Sequence, residues 1–212
     1  MSLLHDIDPP WDQRLARCLI RPFAATRLSP NHVTSISLAS GLIAAFLYGV
    51  GGNWAHLGAV LFVFSVLADH ADGELARMSK RTSRFGHYYD VVAGGGVYIC
   101  LFIGIGIGLR ESAFGPWNIG TWTIVMGIAA GIAIGLIFGV RLDHGRDESV
   151  PQPSFAGFEI EDVLYLIAPI TWFGLLFPFL VLTSIGAPIF LVWQLWQFRK
   201  ANVSKTAAIP KT

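Results

Sequence analysis

WAHLGAVLFVFSVLADHADGELARM, residues 54–78, is an apolar run that ends in three acidic side chains and an arginine. Before Asp69 its one titratable residue is His56, and the run is longer than the roughly 20 residues that an α-helix needs to cross a membrane. Carboxylates at membrane depth are costly, so they normally face a bundle interior or an aqueous cavity. The run therefore predicts a membrane-spanning helix with a functional site in its last turns.

The rest of the chain has the same apolar character. It has 212 residues, of which 53% are hydrophobic and 14% charged, and its mean hydropathy is +0.56, a value that a soluble domain hardly reaches. Further apolar segments lie at about 32–50, 85–109, 117–140 and, as a pair, 158–198. We place the turn within that pair at Pro178 or at Thr183–Gly186. The fold class is therefore predicted as all-α, a polytopic membrane protein with six transmembrane helices.

The basic residues predict how these helices are oriented. All fifteen lysines and arginines except Arg110 fall in the N-terminal arm, the connection between segments two and three, the polar stretch 141–154 or the C-terminal tail. The positive-inside rule makes these regions cytoplasmic. We expect a protein of the cytoplasmic (inner) membrane with both termini in the cytoplasm. Its parts are an N-terminal arm at 1–31, a membrane domain at 32–198 and a tail at 199–212.

Residues 11–23 predict a basic amphipathic helix ahead of the first span. At helical spacing, one face gathers Trp11, Leu15, Cys18 and Leu19, and another gathers Arg14, Arg17 and Arg21. Such a helix lies flat on a membrane surface; the alternative is a solvated helix with a tertiary packing face. The following Ser29-Pro30-Asn31 predicts a turn and an N-cap for the first span.

Acidic and small residues share one face on each of two neighbouring helices. At about 100° per residue, one face of segment two carries Asp69, Asp72, Gly73 and Ala76, and one face of segment three carries Gly86, Asp90 and Gly94. The two segments are antiparallel and joined by a short basic connection. We therefore expect the three aspartates to meet at the cytoplasmic end of the bundle.

Three carboxylates brought together repel one another and require a cation. Hard oxygen ligands suit Mg²⁺ or Mn²⁺, and Mg²⁺ typically combines a few carboxylates with substrate phosphates. The small residues beside the acids leave room for a bulky group, so the implied substrate is a phosphate ester or anhydride. The alternative is an intramembrane salt bridge between these acids and Arg77, Arg81 or Arg84.

The motif Asp69-x2-Asp72-Gly73-x2-Ala76-Arg77-x8-Gly86-x3-Asp90 resembles the signature of the CDP-alcohol phosphotransferase family, also called CDP-alcohol phosphatidyltransferases. The similarity extends upstream, where Pro30-Asn31-His32-Val33-Thr34 resembles the family's Pro-Asn-x-x-Thr before its first membrane helix. The six-helix outline also fits. What the resemblance implies is a metal-dependent displacement in which an acceptor hydroxyl attacks the phosphorus bonded to the donor alcohol and CMP is released.

The resemblance also implies roles for individual residues. Asp69, Asp72 and Asp90 would bind the metal. Gly73, Ala76 and Gly86 would make room for the nucleotide, and Arg77 would help to hold it; Asn31 and Thr34 would lie on the phosphate side. Further expectations are a CDP-linked alcohol such as CDP-diacylglycerol as donor, an alcohol or phosphate acceptor, contact with membrane lipids, a homodimer, a place in phospholipid biosynthesis, and no nucleic-acid partner.

Gly94 departs from the family pattern, which has a fourth aspartate at this position. That aspartate is thought to complete the metal site and to remove the proton from the acceptor hydroxyl, and glycine does neither. His87, three positions before Asp90, is our candidate for a substitute base, because imidazole accepts protons near neutral pH. Other options are His70, Glu74, Asp143, His144 and Asp162, the last of which also fits ordinary charge at a helix N-terminus.

A glycine at position 94 is also compatible with three situations that need no substitute base. The acceptor could already be ionised, so that no base is required and Gly94 enlarges the acceptor cavity. The chain could bind a CDP-alcohol without efficient turnover and have a regulatory or partner role. Gly94 could also be an engineered change in a working enzyme. A transporter is the rival from a different class, but a transporter does not account for the small residues and Arg77 at their fixed spacing.

Overall fold

The computed structural model describes residues 11–111, 113–114, 117–118, 120–144 and 164–207, and these are almost entirely helical. The elements in chain order are α1 (Trp11–Ile20) with a 3-10 turn (Arg21–Phe23), α2 (Pro30–Val50), α3 (Trp54–Ser79), α4 (Arg84–Gly108), β1 (Ala113–Phe114), β2 (Trp117–Asn118), α5 (Gly120–His144), α6 (Ile167–Trp172) and α7 (Leu176–Ala207). The predicted all-α class is confirmed.

Among the described residues, five helices are long and apolar enough to cross a membrane. They are α2, α3, α4, the Gly120–Gly139 part of α5 and the Leu176–Lys200 part of α7. The prediction of a polytopic helical membrane protein is confirmed. The count of six stays a prediction, because the segment expected to begin near Phe158 lies within the described residues only from Leu164 onward.

Two predicted boundaries are wrong. The last turn lies at Phe173–Leu175, where Gly174 has φ +70°, and not at Pro178 or at Thr183–Gly186. Pro178 falls in the first turn of α7, where its missing N–H costs no hydrogen bond. In the middle of α7 the Thr183 hydroxyl donates to the Phe179 carbonyl at 2.7 Å, so this polar residue is accommodated within the helix.

The other boundary is the start of α5, which begins at Gly120 and not at Trp117. Trp117 and Asn118 instead pair with Phe114 and Ala113 in a two-stranded antiparallel ribbon. The remaining spans begin and end within a few residues of the predicted positions. Length and apolar composition therefore located the helices well, whereas short connecting structure carries no such signal.

Serine caps set the N-terminal ends of α2 and α4. Ser29 forms a capping box with His32: the Ser29 hydroxyl accepts from the His32 N–H at 3.3 Å, and His32 Nδ1 accepts from the Ser29 N–H at 3.4 Å. Ser83 caps α4 by accepting from the Gly86 N–H at 2.9 Å. The N-cap predicted in Ser29-Pro30-Asn31 is confirmed. Both caps lie beside the aspartates that the site uses.

Helices α2, α3 and α4 form the centre of the bundle. Ser37 of α2 and Ser65 of α3 bond reciprocally: each hydroxyl donates to the other residue's carbonyl, at 2.9 and 2.8 Å. Both serines are buried, so these hydrogen bonds satisfy polar groups that water does not reach. This pair fixes the contact between α2 and α3 about one helical turn from the predicted metal site.

Helix α7 lies at the edge of the bundle and packs mainly on α5. Its exposed stripe follows helical spacing and consists of Leu182, Ile185, Ile189, Val192 and Trp196. A large apolar stripe of this length on a soluble protein would be an aggregation hazard. On a membrane-spanning helix the same stripe faces lipid, which is consistent with the span assigned to α7.

Helix α1 packs on α3 through a face that the sequence did not indicate. Its buried residues are Asp12, Ala16 and Ile20, spaced four apart. Ala16 and Ile20 share an apolar cluster with Ala71 and Leu75 of α3, and Asp12 Oδ2 lies 3.2 Å from His70 Nε2 on the same helix. The predicted apolar face is largely exposed at Leu15, Cys18 and Leu19. Trp11, on the same face, is 37% exposed and packs its ring against Tyr165. Helix α1 thus has a tertiary packing face as well as a largely exposed apolar face.

Candidate functional site

The structure brings the three predicted aspartates together. Asp69 and Asp72 lie near the end of α3, and Asp90 lies in α4; one carboxylate oxygen of each is within 4.8 Å of the others. Asp72 is 4% exposed, and Asp90 shares a side-chain hydrogen bond with Asp69. Asp69 and Asp90 are half-buried, and carboxylates gathered this closely away from bulk water are normally compensated by a cation. The all-oxygen donor set fits Mg²⁺ or Mn²⁺.

Helix α2 contributes to the site through Thr34. Its buried hydroxyl donates a hydrogen bond to Asp72 Oδ2. The other oxygen of this carboxylate, Oδ1, takes no part in that bond. The hydroxyl is also within 3.2 Å of the Pro30 carbonyl. Thr34 therefore orients Asp72. This contact differs from the implied role on the phosphate side, which stays a prediction.

Asn31 lies against Gly86 at the mouth of the site. A Cβ atom at position 86 would be 3.0 Å from Asn31 Oδ1 and 3.0 Å from the Ser83 hydroxyl, which is tighter than side chains normally allow. Glycine at 86 therefore lets the Asn31 carboxamide approach α4. Ala76 follows Asp72 by about one helical turn and is half-buried, so its small side chain takes up little space near Asp72.

Arg77 bends back along α3 toward the site. Its two terminal nitrogens are 3.8 and 3.9 Å from the place that a Cβ atom on Gly73 would occupy. Arg77 Nη2 donates to Glu74 Oε1 at 2.6 Å. The guanidinium thus covers the space left by Gly73, close to the buried Asp72. The salt bridge that Arg77 makes is with Glu74, a residue outside the aspartate cluster.

Gly94 faces the same cluster from α4. A Cβ atom there would be 3.8 Å from Asp69 Oδ1, at ordinary contact distance, with no other atom close to it. A side chain at 94 would therefore point at the aspartates without a clash. The absent fourth acid leaves an open space beside Asp69, and the described part of the chain places no other carboxylate in the cluster.

The two nearest histidines differ in their availability as a base. His70 has both ring nitrogens engaged: Nδ1 is 2.9 Å from the Val66 carbonyl and Nε2 is 3.2 Å from Asp12 Oδ2. Its ring also stacks on Tyr165. His87 is exposed at the start of α4, beside Tyr88, and interacts electrostatically with Asp90. His87 is therefore freer than His70 to exchange protons with a substrate.

The other proposed bases divide in two groups. Glu74 forms a salt bridge with Arg77, and its Oε2 lies 3.9 Å from Arg17 Nε. Asp143, His144 and Asp162 lie outside the residues whose side chains the structure describes. The salt-bridge alternative is not supported for the aspartates, because the ion pairs within the described residues join Arg77 and Arg17 to Glu74, His70 to Asp12, and Arg110 to Glu111.

A cavity of about 530 Å³ opens at the other end of the bundle. It lies between the turn after α2 and the turn before α7, and is lined in part by Tyr48, Asn53, His56, Thr171 and Trp172. Among the described residues that line it there is no carboxylate, and its buried Tyr48 and Thr171 hydroxyls bond to each other at 2.7 Å. Among the described residues, the clustered carboxylates that suit a divalent metal therefore lie at the aspartate end of the bundle.

The fold and the site together define a class: a polytopic α-helical membrane protein with a half-buried cluster of three carboxylates that fits a divalent cation. The family described as CDP-alcohol phosphatidyltransferase matches residues 27–198. Because this match covers most of the 212 residues, the chain belongs to the CDP-alcohol phosphatidyltransferase family. The resemblance of the motif in α3 and α4 is thereby confirmed.

A curated relative is similar to part of the chain. It is the bifunctional IPC transferase and DIPP synthase of Aquifex aeolicus (strain VF5), which is 29% identical over 99 residues. The aligned region is 46% of this chain and 22% of the relative. The chain therefore matches less than a quarter of that relative's length. Family and relative support CDP-alcohol phosphotransfer in general, in a family that is generally dependent on divalent metals.

Proposed function

We propose that this protein transfers a phosphatidyl or other substituted phosphate group from a CDP-linked alcohol to an acceptor and releases CMP. The observation that carries the proposal is the convergence of Asp69, Asp72 and Asp90 within 4.8 Å, on helices that match the family. In the reaction, the acceptor oxygen forms a bond to the phosphorus that carries the donor alcohol. The bond between that phosphorus and the CMP oxygen breaks.

The three aspartates would hold the divalent cation, Mg²⁺ or Mn²⁺. When bound, it would neutralise charge on the phosphoryl oxygens and orient the leaving group. Thr34 fixes one oxygen of Asp72, so this ligand is preorganised. Gly73 and Ala76 would make room for the nucleotide on α3, where Arg77 offers guanidinium donors to a phosphate oxygen. Gly86 would make room on α4 by allowing Asn31 to approach that helix. Catalysis of this kind rests mainly on positioning and electrostatics.

The acceptor proton is the open part of the mechanism. His87 is our proposed base, because it is exposed one helical turn before Asp90 and its ring is not held as that of His70 is. The second candidate function is a CDP-alcohol-binding homologue with slow turnover and a regulatory or partner role. The open space at Gly94, 3.8 Å from Asp69 at the Cβ position, favours that alternative.

Finer features of the proposal come from the sequence. They are CDP-diacylglycerol as donor, a polar alcohol or a phosphate as acceptor, a role in phospholipid biosynthesis, a homodimer, and an inner-membrane location with both termini and the site on the cytoplasmic side. The exposed apolar face of α1 supports contact between that helix and the membrane surface.

The test of this function is release of CMP by the purified protein in detergent or nanodiscs. With Mg²⁺ or Mn²⁺, CDP-diacylglycerol and a panel of polar alcohols and their phosphates, we expect CMP that chelation of the metal abolishes. His87→Ala should slow the release about a hundredfold if His87 is the base. Metal-dependent CDP-alcohol binding without CMP from any acceptor would favour the binding homologue, and absence of both would reject the proposal.

A further inference from the structure

Glu74 is a buried carboxylate that no motif explains. It occupies one of the two variable positions between Gly73 and Ala76 and is 7% exposed. Burying an ionised carboxylate is costly unless it is paired. Glu74 has two arginine partners: Arg77 at 2.6 Å from its own helix, and Arg17 of α1 at 3.9 Å.

The geometry of Arg77 depends on this carboxylate. The Arg77 side chain is 61% exposed, and a long exposed side chain ordinarily samples many rotamers in water. Here its guanidinium is held over Gly73, within 4 Å of that residue's Cβ position, and it interacts electrostatically with Asp72. Glu74 holds it there, because the salt bridge joins positions i and i+3 of the same helix.

The group formed by Arg17, Glu74 and Arg77 carries a net charge of +1, because two arginines face one glutamate. The negative charge of Glu74 therefore does not cancel the attraction of this group for a phosphate. A guanidinium has five N–H donors in a planar fork, and Glu74 accepts from one of its terminal nitrogens. The remaining donors of Arg77 are available to a ligand that lies over Gly73.

We infer that Glu74 is a positioning residue for nucleotide binding: it orients Arg77 over Gly73 to receive a phosphate of the CDP moiety. Arg17 joins this assembly from α1, so the surface helix completes the nucleotide side of the site. The inference rests on the proposed function and deepens it. It assigns to a non-motif residue, and to the docking of α1, an effect on affinity for the nucleotide.

The test is a double-mutant cycle on the full-length protein, measured by isothermal titration with CDP in the presence of Mn²⁺. Glu74→Gln should weaken CDP binding about tenfold, the size of one well-placed charge-assisted hydrogen bond. In the Arg77→Ala background the same substitution should change affinity less than about twofold. Glu111→Gln, which removes an 88% exposed carboxylate elsewhere, is the matched control and should have no effect.

The outcomes separate this inference from the proposed function. If wild-type protein binds no CDP, the proposed function fails and the role of Glu74 fails with it. If wild-type protein binds CDP and Glu74→Gln binds as tightly or more tightly, the positioning role alone is rejected. An equal loss in both backgrounds would also reject it, because Glu74 would then act without Arg77. If Glu74→Gln does not fold, Glu74→Asp, which keeps the charge but shortens the reach, replaces it in the same cycle.

Discussion

Glycines have different structural roles at the two ends of α4. Toward its C-terminus, a Cβ atom on Gly104 or Gly108 would overlap a backbone carbonyl of α2, at Ala45 and Tyr48 respectively. Toward its N-terminus, a Cβ atom on Gly94 would meet a single carboxylate oxygen at 3.8 Å. The first group allows helix backbones to touch, as small residues commonly do in membranes. The second leaves space that a ligand can use.

This difference explains how one bundle combines rigidity with an open site. Close backbone contact at Gly104 and Gly108, and at Gly106 and Gly127 between α4 and α5, fixes the helices at the end away from the aspartates. The aspartate end is held by side-chain contacts instead, through Ser37 with Ser65 and Thr34 with Asp72. A glycine in a membrane helix is therefore not by itself a sign of packing, and its role depends on what its Cβ would meet.

The largest effect is expected when a side chain is added at the C-terminal end of α4, where the helix backbones are in contact. Gly104→Val would force its side chain into the Ala45 carbonyl, and because backbone cannot move aside cheaply we expect a loss of about 3 kcal/mol or more and little folded protein. Thermal unfolding in detergent and gel-filtration yield measure this loss. An unchanged melting temperature would show that α2 and α4 are not in backbone contact.

Gly96→Val is the matched control, since it lies on the same helix and its Cβ position has nothing within 4 Å. We expect its stability to stay within about 1 kcal/mol of wild type, because no packed neighbour is displaced. Equal losses of stability in Gly104→Val and Gly96→Val would mean that valine is poorly tolerated anywhere in α4. The proposed distinction between packed and open glycines would then be wrong.

The next largest effect is expected at the site end. Gly94→Asp adds a carboxylate beside Asp69 without a clash, at the position where the family pattern has its fourth acid. In the His87→Ala background, where the proposed base is missing, we expect Gly94→Asp to raise CMP release about a hundredfold, the usual contribution of a positioned general base, with a melting temperature close to that of His87→Ala. A fall in CMP release would instead indicate that the acceptor occupies the open space.

The smallest effect should come from Gly94→Ala, which adds the Cβ atom and no acid. Alanine at 94 makes only an ordinary contact with Asp69, so CDP affinity and CMP release should both stay within about threefold of wild type. Titration and the CMP assay measure both quantities. A much larger loss of CDP affinity or CMP release would show that the Cβ atom clashes, and therefore that position 94 is packed and not open.

Much of the fold and the centre of the site could be predicted from the sequence. Apolar length located α2, α3 and α4 closely, and helical spacing correctly brought Asp69, Asp72 and Asp90 together. The first signal lies within each helix, and the second needs only two consecutive helices and the short connection between them. The predicted start of α5 was wrong because the short β1–β2 ribbon before it has no clear sequence pattern. The predicted turn before α7 was wrong because Pro178 is a stronger turn signal than the single Gly174, where the turn lies.

The contacts that join distant segments could not be predicted. Asp12 meets His70 and Tyr165 across three parts of the chain, and nothing in the local pattern of any of them indicates a partner. The face of α1 that packs on α3 was likewise hidden, because the more apolar face is the exposed one. Glu74 and Arg77, in contrast, are a local pair within α3, and their i, i+3 spacing could have suggested an ion pair.

At the centre of the proposed function, three aspartates bind a divalent cation that holds a CDP-linked substrate. The most direct measurement is isothermal titration of the full-length protein with a CDP-alcohol, with and without Mg²⁺ or Mn²⁺. We expect binding that requires the metal and is abolished by Asp69→Ala and by Asp72→Ala, while Glu111→Gln binds as wild type. Unchanged binding in both aspartate variants, or binding that persists after chelation of the metal, would contradict the metal site.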